Sequence, residues 1–205
     1  MVQEVVALVA GSGFAAGVNL YATVLLLGIY GRLLEATDVP EVLSSTPVLV
    51  IAGVLTAIEF VADKVPWFDS AWDSVHTFIR PVGAAALATV LVGGDATGLN
   101  EVAAGGIAAV LAFIAHSAKA STRVAVNTSP EPVSNSIVSL LEDGLVATLV
   151  FVAIEHPVIA LGAVGVLSVA SLVLVVLLWR MVRSWRRRRR SRRGARSTHR
   201  MTPGR

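Results

Sequence analysis

The chain has 205 residues, 55% of them hydrophobic and only 15% charged, with a mean hydropathy of +0.73. A water-soluble domain of this length needs more polar surface, so the composition excludes one and names the bilayer as solvent. There is no cysteine, which removes disulfides, thiolate metal sites and cysteine nucleophiles.

The formal charge of +3 hides two opposed parts. From Arg180 onward there are twelve arginines and no acid; the preceding 179 residues hold five Lys/Arg against fourteen Asp/Glu, a balance of −9. The basic character belongs to the tail, and the body is acidic. Met1-Val2-Gln3-Glu4 lacks the positive charge that opens a cleavable signal peptide, so the first apolar segment is expected to be retained.

A membrane-crossing helix takes roughly 20 mostly apolar residues. In chain order the qualifying segments are Val5–Leu34, Pro47–Val65, Val75–Gly94, Ala103–Arg123, Ser136–Glu155 and Val158–Val182. They predict an all-α polytopic transmembrane bundle of about six spans over residues 1–182. A disordered, arginine-rich cytoplasmic tail is expected over 183–205, where uniform positive charge leaves nothing to bury. The first segment is overlong and carries Gly11, Gly13, Gly17, Gly28 and Gly31, so a tilted, broken or re-entrant element is expected there. Small residues at Ala84–Ala88 and Ala103–Ala109 read as close helix packing in lipid.

Six spans place both termini on one side, and the positive-inside rule makes that side cytoplasmic. The connections outside then carry Glu35, Asp38 and Glu41, and Asp95 and Glu101. Lys64, Arg80, Lys119 and Arg123 fall inside. Only Arg32 stands on the wrong side, near a helix end where it can snorkel.

Charged groups inside spans are costly and normally face the bundle interior. Glu59 and Asp63 lie one turn apart, followed by Lys64. Pro66 can open a new helix at its first turn, on which Asp69, Asp73, His76 and Arg80 form one stripe. His116, Lys119, Arg123 and Asn127 form another; Asn135, Ser139 and Glu142 form a third, with Asp143 beside it. Counting Glu59, Asp63, Asp69, Asp73, Glu142 and Asp143 against Lys64, Arg80, Lys119 and Arg123 leaves −2. Protons, the two histidines or a bound cation would have to meet the remainder. Asp69, Asp73 and His76, on successive turns, are also candidate ligands for a divalent metal; no other cofactor is indicated. Trp67 and Trp72 read as interfacial aromatics, and His156 as an outer-turn residue.

Gly17-Val18-Asn19-Leu20-Tyr21-Ala22-Thr23 and Glu59-Phe60-Val61-Ala62-Asp63-Lys64-Val65-Pro66 resemble the bacterial membrane family catalogued as domain of unknown function 4126. The resemblance continues through Trp72–Pro81, His116-Ser117-Ala118-Lys119 and Asn127–Asn135, covering about residues 10 to 155. It implies a multi-span membrane protein and brings no established activity. It also adds Asn19 to the candidate site residues. Offsets of 56 (Val54–Ile58 with Val110–Ile114) and 125 (Leu20, Ala22, Thr23 with Leu145, Ala147, Thr148) hint at an internal repeat of the kind many transporters carry.

The expected function is a small transporter or permeation protein whose charged cytoplasmic-side site takes an ion or a small anionic solute. The alternatives are a non-transporting membrane scaffold and a membrane enzyme acting on lipid phosphate. The latter lacks a nucleophile elbow or a phosphate loop. The arginine tail is expected to meet anionic lipid head groups rather than nucleic acid.

Overall fold

The structure, a computed structural model, describes residues 2–34, 39–93, 100–126 and 132–199, without the side chains of Pro66, Pro132 and 185–199. The expected loop acids Glu35, Asp38 and Asp95 lie outside the described residues. The elements are α1 (Val2–Val18), α2 (Leu20–Leu33), a 3₁₀ turn (Glu41–Ser44), α3 (Thr46–Ala62), α4 (Pro66–Val92), α5 (Glu101–Val126), α6 (Pro132–Glu155) and α7 (Pro157–His199). All six expected segments are helical, and the overlong first one is broken in two. Within α4 to α7, the stretches Trp67–Val92, Glu101–Val126, Val133–Glu155 and Pro157–Ser184 are each long and apolar enough to cross a membrane. The other three helices have 17, 14 and 17 residues, about 21–26 Å at 1.5 Å per residue.

Asn19 makes the break. Its backbone is extended (φ −150°, ψ 101°), and its Oδ1 accepts the N–H of Ala22 at 2.9 Å, capping α2. Asparagine suits this position because its short side chain satisfies an amide that the new helix leaves without a partner. The chain then turns back. Gly11 of α1 abuts Ala153 of α6, the Tyr30 ring of α2 lies 6.4 Å from that of Phe151, and Asn19 itself reaches Asp143. Both helices therefore run along the same stretch of α6 and on the same side of Asn19. Together they form a re-entrant hairpin with Asn19 at its tip.

Helix directions follow from such pairs. Gly13 and Gly17 meet Ala108 and Ala112, so α1 runs parallel to α5. Arg32 bonds Thr46 while Gly53 faces Leu25, so α2 and α3 are antiparallel. Gly105 faces Ala85, and His116 meets Thr77 and Arg80, so α4 and α5 are antiparallel. The alternation puts Val2 at the end of the bundle opposite to the one where α7 leaves, called the tail end below. This corrects the expectation that both termini share one side. The extra reversal is invisible to hydropathy, because one residue inside a continuous apolar segment makes it.

The first helix is the core. Every residue from Ala7 to Val18 is buried, enclosed by α4, α5, α6 and α7. Close approach requires its glycines: a Cβ on Gly13 would lie 2.8 Å from the Ala108 Cα. In lipid, where no hydrophobic force drives helices together, such backbone contact supplies the packing energy. At the other extreme, α7 continues past residue 182 to His199, beyond the point where the tail was expected to become disordered.

Candidate functional site

The polar stripes meet at the hairpin tip and extend from there toward the tail end. Glu59 occupies the last turn of α3, and Asp63 caps that helix. Asp69, Asp73, His76 and Arg80 come from the first half of α4. His116, Lys119 and Arg123 come from the last turns of α5, and Asn135 and Glu142 from α6. Of these only Glu142 is partly exposed; all the others are buried.

Three cations organise the site. Arg80 donates through Nη2 to Glu59 Oε1 at 2.7 Å, and through Nη1 to His116 Nδ1 at 2.6 Å and the Gly17 carbonyl at 3.3 Å. Lys119 Nζ donates to the Val18 carbonyl at 3.1 Å, Asp63 Oδ2 at 3.0 Å and Glu59 Oε1 at 3.4 Å. Arg123 donates to Asp63 Oδ2 at 3.0 Å, the Asp63 carbonyl at 3.0 Å, Asn135 Oδ1 at 2.9 Å and Glu142 Oε2 at 2.5 Å. Two of these cations thus serve the last carbonyls of α1, which the break strips of helical partners and which carry the negative end of the helix dipole. Non-helical backbone at membrane depth is tolerated only when protein satisfies it. Arg80 and Lys119 do so here.

The neighbours set the donors and acceptors of the histidines. Arginine only donates, so His116 Nδ1 accepts and its Nε2–H faces the Thr77 hydroxyl at 3.0 Å. His76 Nδ1 faces the Trp72 carbonyl at 2.8 Å and so carries a proton, and its Nε2 shares a hydrogen bond of 3.0 Å with the Tyr21 hydroxyl. Its ring stacks on Trp72 with centroids 4.5 Å apart.

Two expectations are corrected. Lys64 does not join the cluster: its Nζ donates to the Phe60 carbonyl at 2.9 Å and lies 3.0 Å above the Phe60 ring. It belongs to the exposed α3–α4 turn, so six acids face three bases and the formal sum falls from −2 to −3. Nor do Asp69, Asp73 and His76 form a metal ligand set. Both His76 nitrogens are engaged elsewhere, Asp69 faces Arg123 at 3.9 Å, and no group of three His, Asp or Glu among the described residues is placed to hold a metal. Asn127 lies outside the described residues. Asp143, half-buried, accepts from Asn19 Nδ2 at 3.3 Å and so ties the hairpin tip to α6.

Tyr21, Thr77 and the carbonyls of Gly17 and Val18 were not singled out from sequence as site members. A signal existed for all four, since Gly17, Val18 and Tyr21 lie in the motif around Asn19 and Thr77 lies in the Trp72–Pro81 motif.

Acid oxygens remain without donors. Among the described residues Glu59 Oε2, Asp63 Oδ1 and both carboxylate oxygens of Asp73 are buried and accept no hydrogen bond; the buried donors left over nearby are the Nε groups of Arg80 and Arg123, the Trp72 Nε1 and the Ser139 hydroxyl. Asp73 stands 3.4 Å from Arg80 Nη2, without hydrogen-bond geometry. Cavities flank the cluster. One of about 360 Å³ is apolar, lies between α2, α3 and α4 and reaches Tyr21. Another, about 340 Å³, lies between α1, α5, α6 and α7 and touches Lys119 and Glu142. A smaller one, about 180 Å³, opens between α4 and α5 beside Asp73.

Fold and site together define a helical membrane bundle whose charged centre sits at the tip of a re-entrant hairpin. The chain belongs to the family described as domain of unknown function (DUF4126), whose model matches residues 6–187. The match runs from α1 into α7, so it takes in the hairpin and every element of the site. No curated protein and no solved structure matches the chain.

Proposed function

We propose that this protein moves protons or small cations across a bacterial inner membrane, with the acid-rich centre at the hairpin tip as the binding site. The carrying observation is the charge balance of that centre: six acids against three bases, with four buried carboxylate oxygens lacking donors. Each base is shared between several acids, and buried charge that is only partly compensated is costly, so a centre built this way gains from a bound cation or proton. The sequence left a small anionic solute equally open. Against it, each of the three bases is already bonded to carboxylates and, for Arg80 and Lys119, to backbone carbonyls. A broken helix ending near the middle of the bundle is also a recurrent architecture of ion sites in transporters.

In this reading the arginine tail is cytoplasmic, as the positive-inside rule asks, and the N-terminus lies outside. Lys64 then marks the cytoplasmic turn. At the membrane surface Arg183 lies 4.9 Å over the Trp179 ring, a pairing suited to anionic head groups.

One specific observation favours a second reading, a static charge network that holds the helices together. Arg123 and Lys119 both join α5 to the α3 cap and to α6. Ion flux into proteoliposomes separates the two. Cation transport predicts movement of protons, sodium or potassium down an imposed gradient, above protein-free vesicles, with chloride and phosphate excluded. Tight vesicles with no cation movement would reject it in favour of the network.

A further inference from the structure

Asp73 is the one acid of the cluster whose two carboxylate oxygens are both buried without a hydrogen bond among the described residues. It is 4% exposed, and it is one of the residues lining the small cavity between α4 and α5. The others are the hydroxyl residues Ser70, Ser74 and Thr77, with Ala120, Arg123 and Val124; the Ser74 and Thr77 hydroxyls donate to the carbonyls of Ser70 and Asp73. Ser70 and Ser74 are exposed, and they stand on the half of α4 nearest the tail end. The cavity therefore lies beside Asp73, between α4 and α5 in the half of the bundle nearest the tail end.

We propose that Asp73 is a proton-exchanging carboxylate, loaded and unloaded from the tail side through this hydroxyl-lined cavity. The proposal rests on the cation-transport reading and names its first step. A hydronium ion in the cavity gives its proton to the Asp73 carboxylate, leaving water and a neutral carboxylic acid; release is the reverse. An ionised carboxylate without donors is the costly form of a buried acid, and the proton removes that cost. The groups facing Asp73 set the balance. On α4 they are His76 and Arg80; on α5 they are His116, Lys119 and Arg123; from the α3 end comes Asp63. Arg80 is held more closely by Glu59, at 2.7 Å, than by Asp73, at 3.4 Å. Neutralising Asp73 therefore leaves the Arg80–Glu59 bridge in place. The carboxylate exchanges its proton without dismantling the cluster.

The test uses the full-length protein in liposomes. Infrared difference spectra across a pH titration should contain a protonated-carboxyl band that disappears in Asp73→Asn, an isosteric change that removes a buried charge. The same band in Asp73→Asn would overturn the proposal. Because the chain has no cysteine, Ser74→Cys offers a single thiol as a second readout. It should react with a membrane-impermeant thiol reagent added from the tail side. It should also prefer a positively charged reagent over a negatively charged one, with that preference falling several-fold in the Asp73→Asn background. An unreactive thiol, or one reached only from the opposite side, would contradict the entry route. The two readings fail separately. A titrating Asp73 band without cation flux rejects transport, whereas flux that survives without an Asp73 band rejects Asp73.

Discussion

Lys119 Nζ on α5 donates to the carbonyl oxygen of Val18 at 3.1 Å, the last residue of α1 before the break. The same ammonium reaches Asp63 Oδ2 at 3.0 Å and Glu59 Oε1 at 3.4 Å. One side chain thus stabilises the frayed helix end and neutralises two buried acids. Lys119→Met should be strongly destabilising, by about 3–5 kcal/mol as for other buried pairs broken from one side. Thermal unfolding in detergent should show a markedly lower Tm. An unchanged Tm would mean that the break is held by something else.

Arg80 and Glu59 meet at 2.7 Å with both side chains fully buried. Each single change, Arg80→Gln or Glu59→Gln, takes from a buried charge its nearest counterpart, and the double change removes both members of the pair. The double variant should lose less stability than the sum of the two singles, with a coupling of about 0.5–3 kcal/mol. Simple additivity in a double-mutant cycle would contradict the pairing.

The tip of the hairpin is tested at Asn19. Asn19→Ala removes the acceptor for the Ala22 amide and the donor to Asp143, and the lost cap alone is worth about 1 kcal/mol. Asn19→Ser keeps a capping oxygen and should recover most of that loss. Equal stabilities for the two variants, measured by thermal unfolding, would show that capping does not hold the break.

Glycines divide by what their missing Cβ would meet. Gly13→Leu drives a side chain into the Ala108 backbone and should cost about 1–3 kcal/mol or separate α1 from α5. Gly106 has nothing within 4 Å, so Gly106→Ala should be neutral or gain about 0.5–1 kcal/mol through the helix backbone. The contrast is read from Tm in the same detergent. Parity between the two would count against the close packing of the first helix.

The bundle was legible in the sequence wherever the pattern was local. Apolar length marked every helix, and the 3.6-residue period brought Asp69, Asp73, His76 and Arg80 onto one face before their partners were known. A tilted, broken or re-entrant first segment was expected, but neither the choice among these nor the residue at the break was. A single capping residue reverses the chain without any polar interruption, so Leu20–Leu33 reads like a continuation of Val2–Val18. Lys64 was misassigned for a related reason. Spacing places it next to Asp63, whereas a turn starting at the α3 cap swings it onto the Phe60 ring. The metal reading failed on rotamers: His76 shares a stripe with Asp73 yet is held by Tyr21 and Trp72, and no spacing rule records which way a ring turns.

If the acid-rich centre at the hairpin tip carries protons or cations, proton flux into proteoliposomes will show it. Vesicles enclosing a pH-sensitive dye, given a potassium diffusion potential, should acidify faster with the native protein than without it. Gly106→Ala should match the native rate, and Asp73→Asn should fall to the protein-free rate if the proton is the transported ion. Native protein that moves neither protons, sodium nor potassium in vesicles shown to be tight would contradict the claim, leaving the cluster as a structural network alone.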